Sequence, residues 1–150
     1  MTNVKSSMAG LPDDAELHVP LLAGKLQAEV RSSFAAEDWG GLRQSHFRLM
    51  TCVPRSGISI TDLAQVLGMT KQACGQFVTG LEATGHLQVR ADAADRRVRM
   101  VFRTALGDRT VRAVNLRIRR IERQWARRVG ANRYAVFREV LEDLVLGSGE

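Results

Sequence analysis

Between Ser59 and Gly85 the chain holds two helix starts and two helix stops in close succession, and few folds accommodate that punctuation. Ser59 followed by Asp62 is the pattern of a capping box, whose hydroxyl and carboxylate satisfy the free amides opening a helix. Gly68 ends that helix after Leu67. Thr70 is an equally good N-cap, and Cys74, Phe77, Val78 and Leu81 supply the apolar face of a second helix that ends at Gly85. Two helices meeting across Gly68, Met69 and Thr70 form a helix-turn-helix. Leu87 and Val89, then Val98, Met100 and Phe102, alternate on either side of a charged loop, which predicts two short antiparallel strands. A hairpin in that position is a wing.

The flanks are helical. Residues 1–13 are small and polar, broken by Gly10 and Pro12, and read as a mobile arm. Leu22, Leu26, Val30 and Phe34 recur every four residues, predicting a helix from about His18 to Ala36 with Pro20 tolerable in its first turn. Leu42, His46, Leu49, Met50 and Val53 mark one face of a second helix, which Pro54 and Gly57 terminate. Beyond Ala105, Val111, Val114, Ile118, Ile121 and Trp125 step alternately by three and four residues, a heptad seam. A helix of about 24 residues is too long for the small preceding domain to cover, so part of its apolar face is expected to meet another subunit. Asn132 is expected to cap a final helix lined by Tyr134, Phe137, Leu141 and Leu144. The resulting organisation is an arm (1–13), an N-terminal dimerisation helix (14–41), a winged helix-turn-helix domain (42–103) and C-terminal dimerisation helices (104–150).

Composition narrows the function. A length of 150 residues, 45% hydrophobic, builds one core and nearly excludes a multi-domain enzyme. Lys and Arg number 22 against 16 Asp and Glu, a formal charge of +6, so an acidic partner is the first expectation. Most of the excess lies in residues 101–150, and arginine dominates, which favours forked contacts to phosphate or carboxylate. Two cysteines are too few for a disulfide scaffold, and nothing near Met1 resembles a secretory signal, so the expectation is a cytoplasmic protein. No apolar run approaches the roughly 18 residues that span a bilayer, and no membrane partner is expected.

The segment ISITDLAQVLGMTKQACGQFVTGLEATGHLQVRADAADRRVRMVFRTALG resembles the MarR family of winged helix-turn-helix regulators. Leu63 and Ala64 match the LA of the first motif helix, and Leu81, Glu82 and Gly85 match its LE..G. Asp92, Asp95, Arg96 and Arg97 match the DxxDRR of the wing. Thr104 and Gly107 match the LTxxG that opens the long helix, although Arg103 stands where leucine is usual and His46 replaces a common glutamine. The likeness is close over roughly 42–108 and looser in the flanking helices. It implies a mainly α fold with a small β-wing, and a homodimer whose terminal helices interlock so that two winged domains straddle DNA.

On the second motif helix, turning Cys74, Phe77, Val78 and Leu81 inward presents Lys71, Gln72, Ala73, Gly75, Gln76 and Thr79 outward. Glutamines suit adenine edges, Ala73 a thymine methyl, and Thr70 or Lys71 a phosphate. In isolation such residues are an ordinary solvated face; the neighbouring wing favours double-stranded DNA. Glycine at 75 either permits close approach to the groove or serves packing. In the wing, Asp95 can brace Arg96 or Arg97 while the other enters a minor groove, and the spacing leaves the assignment open. The remaining arginines of the long helix read as a solvated face.

Relatives of this kind often bind small aromatic or anionic effectors, which makes Trp39, His46 and Met50 candidates, against the blander reading of a satisfied core histidine. Cys52 and Cys74 read as inert packing. The three histidines show no metal-ligand spacing, and neither a P-loop nor a dinucleotide fingerprint occurs, so no catalytic residue, metal or cofactor is expected. The sequence thus predicts a regulator, a repressor relieved by a small molecule, bound to a pseudo-palindromic duplex. The competing class is a winged domain that binds protein without specific DNA binding.

Overall fold

The computed structural model describes Gly10, Leu11 and residues 16–147. The arm expected over 1–13 lies outside the described residues except for Gly10 and Leu11. No helix among the described residues is long and apolar enough to cross a membrane. The chain divides into two compact units, one ending at Gln44 and one beginning at Ser45.

In the first unit, α1 (Val19–Ala35) starts from His18 with Pro20 in its first turn, where a missing N–H costs nothing. Phe34 is buried, its ring 5.4 Å from Trp39. Gly40 and Gly41 both have φ near the left-handed region, and Asp38 Oδ1 accepts from Gly40 N at 2.8 Å, which turns the chain after the helix.

The second unit carries α2 (Gln44–Thr51, its first residue at the boundary), β1 (Ile58–Ser59), α3 (Ile60–Leu67), α4 (Lys71–Ala83), β2 (Leu87–Ala91), β3 (Arg99–Arg103), α5 (Ala105–Val129) and α6 (Ala131–Leu146). Ser59 Oγ accepts from Asp62 N at 3.0 Å to open α3, and Gly68 closes it at φ 64° while Met69 N donates to the Ala64 carbonyl. Thr70 Oγ1 accepts from Ala73 N at 3.1 Å and opens α4. Leu49, Met50, Val53, Leu63, Cys74, Val78, Leu81, Leu87, Val101 and Val114 form a fully buried core.

The sheet has three antiparallel strands in the order β1-β3-β2, one more than the sequence pattern predicts. β1 is only two residues long, too short to show alternation, and pairs Ile58 with Val101. Gly57, at φ 82°, leads into it beneath the Phe102 ring, with which any Cβ there would collide. In β3 the buried side chain is Val101, while Met100 and Phe102, expected as the apolar set, are half-exposed. A central strand with helices on one face buries a single parity, and Val101 has it. Phe102 on the other face lies under the Arg90 guanidinium, 5.0 Å from the ring centroid.

Thr104 ties the wing to the long helix. Its hydroxyl oxygen accepts from Gly107 N at 3.1 Å, and the same hydroxyl donates to the Gly85 carbonyl at 2.5 Å. Gly107 is buried against the His86 carbonyl oxygen, where a Cβ has no room. Arg103, in the position usual for leucine, pairs with Asp108 at 3.0 Å and is largely shielded, so its alkyl stem fills the space and its charge is matched. Val111, Val114 and Ile121 of the seam are already buried in the single chain, whereas Ile118 and Trp125 are half-exposed. Asn132 does not cap α6. The helix begins directly after Gly130, whose carbonyl takes the Tyr134 N–H, leaving Asn132 inside the first turn instead of at an extended capping position.

Candidate nucleic-acid interface

Cys74, Val78 and Leu81 fix the rotation of α4 by facing the core, and Phe77 follows them half-buried. That rotation exposes Lys71, Gln72, Gln76 and Thr79, with Thr70 exposed at the cap. Ala73 and Gly75 are half-buried, so the outward face is narrower than the sequence pattern alone gives. Thr70 spends one lone pair on its cap and keeps a hydroxyl proton to donate. A Cβ at Gly75 would meet nothing within 4 Å, so packing within the chain does not require glycine there. The far end of α4 is held to the wing through Glu82 Oε2, which accepts from Val89 N at 3.0 Å.

The wing loop shows which arginine Asp95 braces. Asp95 Oδ1 accepts from Arg97 N at 3.1 Å and lies 3.3 Å from Arg97 Nε. Arg97 is therefore the braced one, although its side chain is 92% exposed. Arg96 stands exposed next to it, with no ion pair among the described residues. An exposed pair of this kind is worth roughly 0–1 kcal/mol, enough to bias a rotamer but not to hold the hairpin.

Two clefts join the helix to the wing. One, about 530 Å³, runs past Ser59, Asp62, Lys71, Arg97 and Arg99. The other, about 440 Å³, lies between α4 and the sheet and is lined by Gln72, Gly75, Gln76, Thr79, Glu82 and Arg99 among others. The first cleft gathers three cations against one carboxylate, a field that attracts anions. Arg99 borders both and lies outside the wing motif; the signal that could have found it is parity, since it sits two residues beyond Arg97 on an alternating segment.

The three effector candidates differ in setting. Met50 is 0% exposed and belongs to the core. His46 is half-buried with its ring edge-on to Phe77, centroids 5.5 Å apart. Trp39, beside Phe34, belongs to the first unit. Burial pushes the Cys74 thiol pKa up, which suppresses the reactive thiolate. Among the described residues no three His, Cys, Asp or Glu gather to hold a metal ion.

Residues 41–98 match the family model described as MarR family. Among solved structures, a MarR-family transcriptional regulator from Rhodococcus sp. RHA1 is similar, with TM-score 0.72 and 15% identity over 87% of this chain and 92% of that one. The PcaV regulator of Streptomyces coelicolor, in complex with its natural ligand, aligns with TM-score 0.69 and 18% identity over 90% of this chain and 99% of that one. MepR of S. aureus, in complex with DNA, aligns with TM-score 0.72 and 14% identity over 89% of this chain and 100% of that one. No curated protein matches the chain in sequence.

Proposed function

From a chain that has a winged core of the MarR family and the fold of MarR-family regulators, we propose a sequence-specific, double-stranded-DNA-binding transcriptional regulator. It is a repressor that works as a homodimer on a pseudo-palindromic operator and has no enzymatic activity. The observation that carries this reading is the shared lining of α4 and the wing: Lys71, Gln72, Gln76 and Thr79 project from a helix whose opposite face is anchored in the core, and the same clefts hold Arg97 and Arg99. Donors and acceptors for base edges thus stand beside cations for phosphates, the division of labour that sequence-specific recognition needs. Ala73 and Gly75 line the helix where a thymine methyl or a close sugar edge fits, Thr70 and Lys71 hold the backbone, and Arg96 is the arginine free to enter a minor groove.

Homodimerisation is supported by the apolar side chains left uncovered on the terminal helices. Leu21 and Leu22 on α1, and separately Phe137, Leu141 and Leu144 on α6, are large apolar side chains exposed in the single chain. A small aromatic or anionic effector acting near His46 completes the proposal. His46 supports it, because its ring leans on Phe77, on the inner side of the helix that reads DNA. The Streptomyces regulator, similar in fold, is known in complex with its natural ligand.

Selection of bound fragments from a random duplex library tests the function, followed by titration of selected and unselected duplexes across salt. A regulator prefers its selected sequence by about 10³-fold or more. A protein-interaction module shows only weak attachment that vanishes equally for all sequences as salt rises.

A further inference from the structure

We propose that Arg99 is the phosphate anchor of the interface, clamping the sugar-phosphate strand that crosses between the reading helix and the wing, with Gly75 leaving the room for that strand to pass. The inference rests on the DNA-binding reading and goes beyond it by naming a contact that the wing motif does not contain. Its first support is the geometry of the duplex. A helix in the major groove and a hairpin in the adjacent minor groove are separated by one phosphodiester strand, which must run through the space between them. That space is bounded by α4 on one side and β3 on the other, and Arg99 borders both clefts within it.

The second support is the state of the side chain. Arg99 is exposed, opens β3 opposite Ala91, and has no ion-pair partner among the described residues. Its neighbours differ: Arg97 is tied to Asp95, Arg103 to Asp108, and Arg90 lies over Phe102 on the other face of the strand. Arg99 is thus an uncommitted cation whose backbone is held in a regular strand. Such a guanidinium suits a forked contact to phosphate oxygens. Gly75 faces the same cleft, where its missing Cβ is explained by no contact within the chain. A phosphate or sugar passing at that point explains it.

Arg99→Gln and Arg99→Lys, made in the full chain, test the anchor against selected and random duplexes over a salt range. Arg99→Gln is expected to weaken both classes of duplex alike and to reduce the slope of log affinity against log salt by about 0.9 for each phosphate it no longer neutralises. Arg99→Lys, which keeps the charge, is expected to retain the wild-type slope. Gly75→Ala and Gly80→Ala form a matched pair, since neither added methyl meets another atom of the chain. Both are expected to raise the melting temperature, and only Gly75→Ala to lose DNA affinity. Wild-type slope and affinity in folded Arg99→Gln overturn the anchor while leaving the DNA-binding reading intact. Failure of the wild-type protein to prefer any duplex overturns both.

Discussion

Gln76 and Arg96 touch a duplex in different ways, and substitution separates them. Gln76→Ala removes a bidentate partner for a base edge, so it is expected to shift preference among operator variants by about 1–3 kcal/mol at one base pair. Arg96→Ala together with Arg97→Ala is expected to weaken all sequences alike and flatten the salt dependence, which salt-titrated binding to variant operators measures directly. Retained wild-type slope in that double variant contradicts a wing contact. His86 bears on stability instead. Partial burial lowers its pKa below the ordinary histidine value, with its Nδ1 2.8 Å from the Thr84 hydroxyl. The unfolded chain therefore takes up the proton first as the medium is acidified. Its contribution to stability is expected to be fully present above about pH 6.5 and to be lost as pH falls from there through the folded pKa. His86→Gln should remove this part of the acid sensitivity, read as the difference in melting temperature between pH 7.5 and 5.5; an unchanged difference contradicts the assignment.

Among the elements, those with chemical punctuation were legible from the residues alone. Ser59, Gly68 and Thr70 announce their helices because each cap is a local bond between neighbours in sequence, and the structure has them at those positions. The third strand was not legible, since two residues cannot display a period and Ile58 pairs with Val101, far along the chain. Asn132 misled for a related reason: its capping chemistry is real, but Gly130 already starts the helix. In the candidate site, residue types and helix rotation could be read from spacing. The bracing of Arg97 and the position of Arg99 between two clefts depend on how the hairpin folds against α4, which spacing does not encode. Thr104 is the element-scale test. It caps α5 and binds the turn after α4, so Thr104→Ala is expected to cost about 1–2 kcal/mol in denaturant unfolding, with Thr104→Ser restoring most of it. A loss under a few tenths of a kcal/mol would mean that the junction is held elsewhere.

For the whole molecule, the proposed dimer is best tested on side chains the single chain leaves in water. Leu141 and Leu144 are exposed, Leu144 at 76%, whereas Ile121 of the seam is buried and its loss would disturb the chain's own core. Leu141→Asp with Leu144→Asp is therefore expected to give folded monomers by sedimentation and to weaken binding to a palindromic site; an unchanged folded dimer contradicts pairing through α6. Half-site centres are expected about 10 bp apart or at a multiple of it, because two reading helices must face one side of the duplex. An effector that weakens DNA binding must lose affinity by the same factor when operator is bound, typically 5- to 150-fold. His46→Phe, which keeps a ring against Phe77 and removes the polar nitrogens, is expected to blunt that coupling while leaving unliganded DNA binding intact. The half-site spacing and the effector coupling rest on one claim, that α4 and the wing together read double-stranded DNA. The most direct measurement compares affinity for a duplex selected by the protein with affinity for scrambled duplex of equal length across salt concentration. The account predicts a preference of about 10³-fold or more that persists as salt rises, while the shared slope reports phosphate contacts. Equal affinity for the two duplexes at every salt concentration would contradict it.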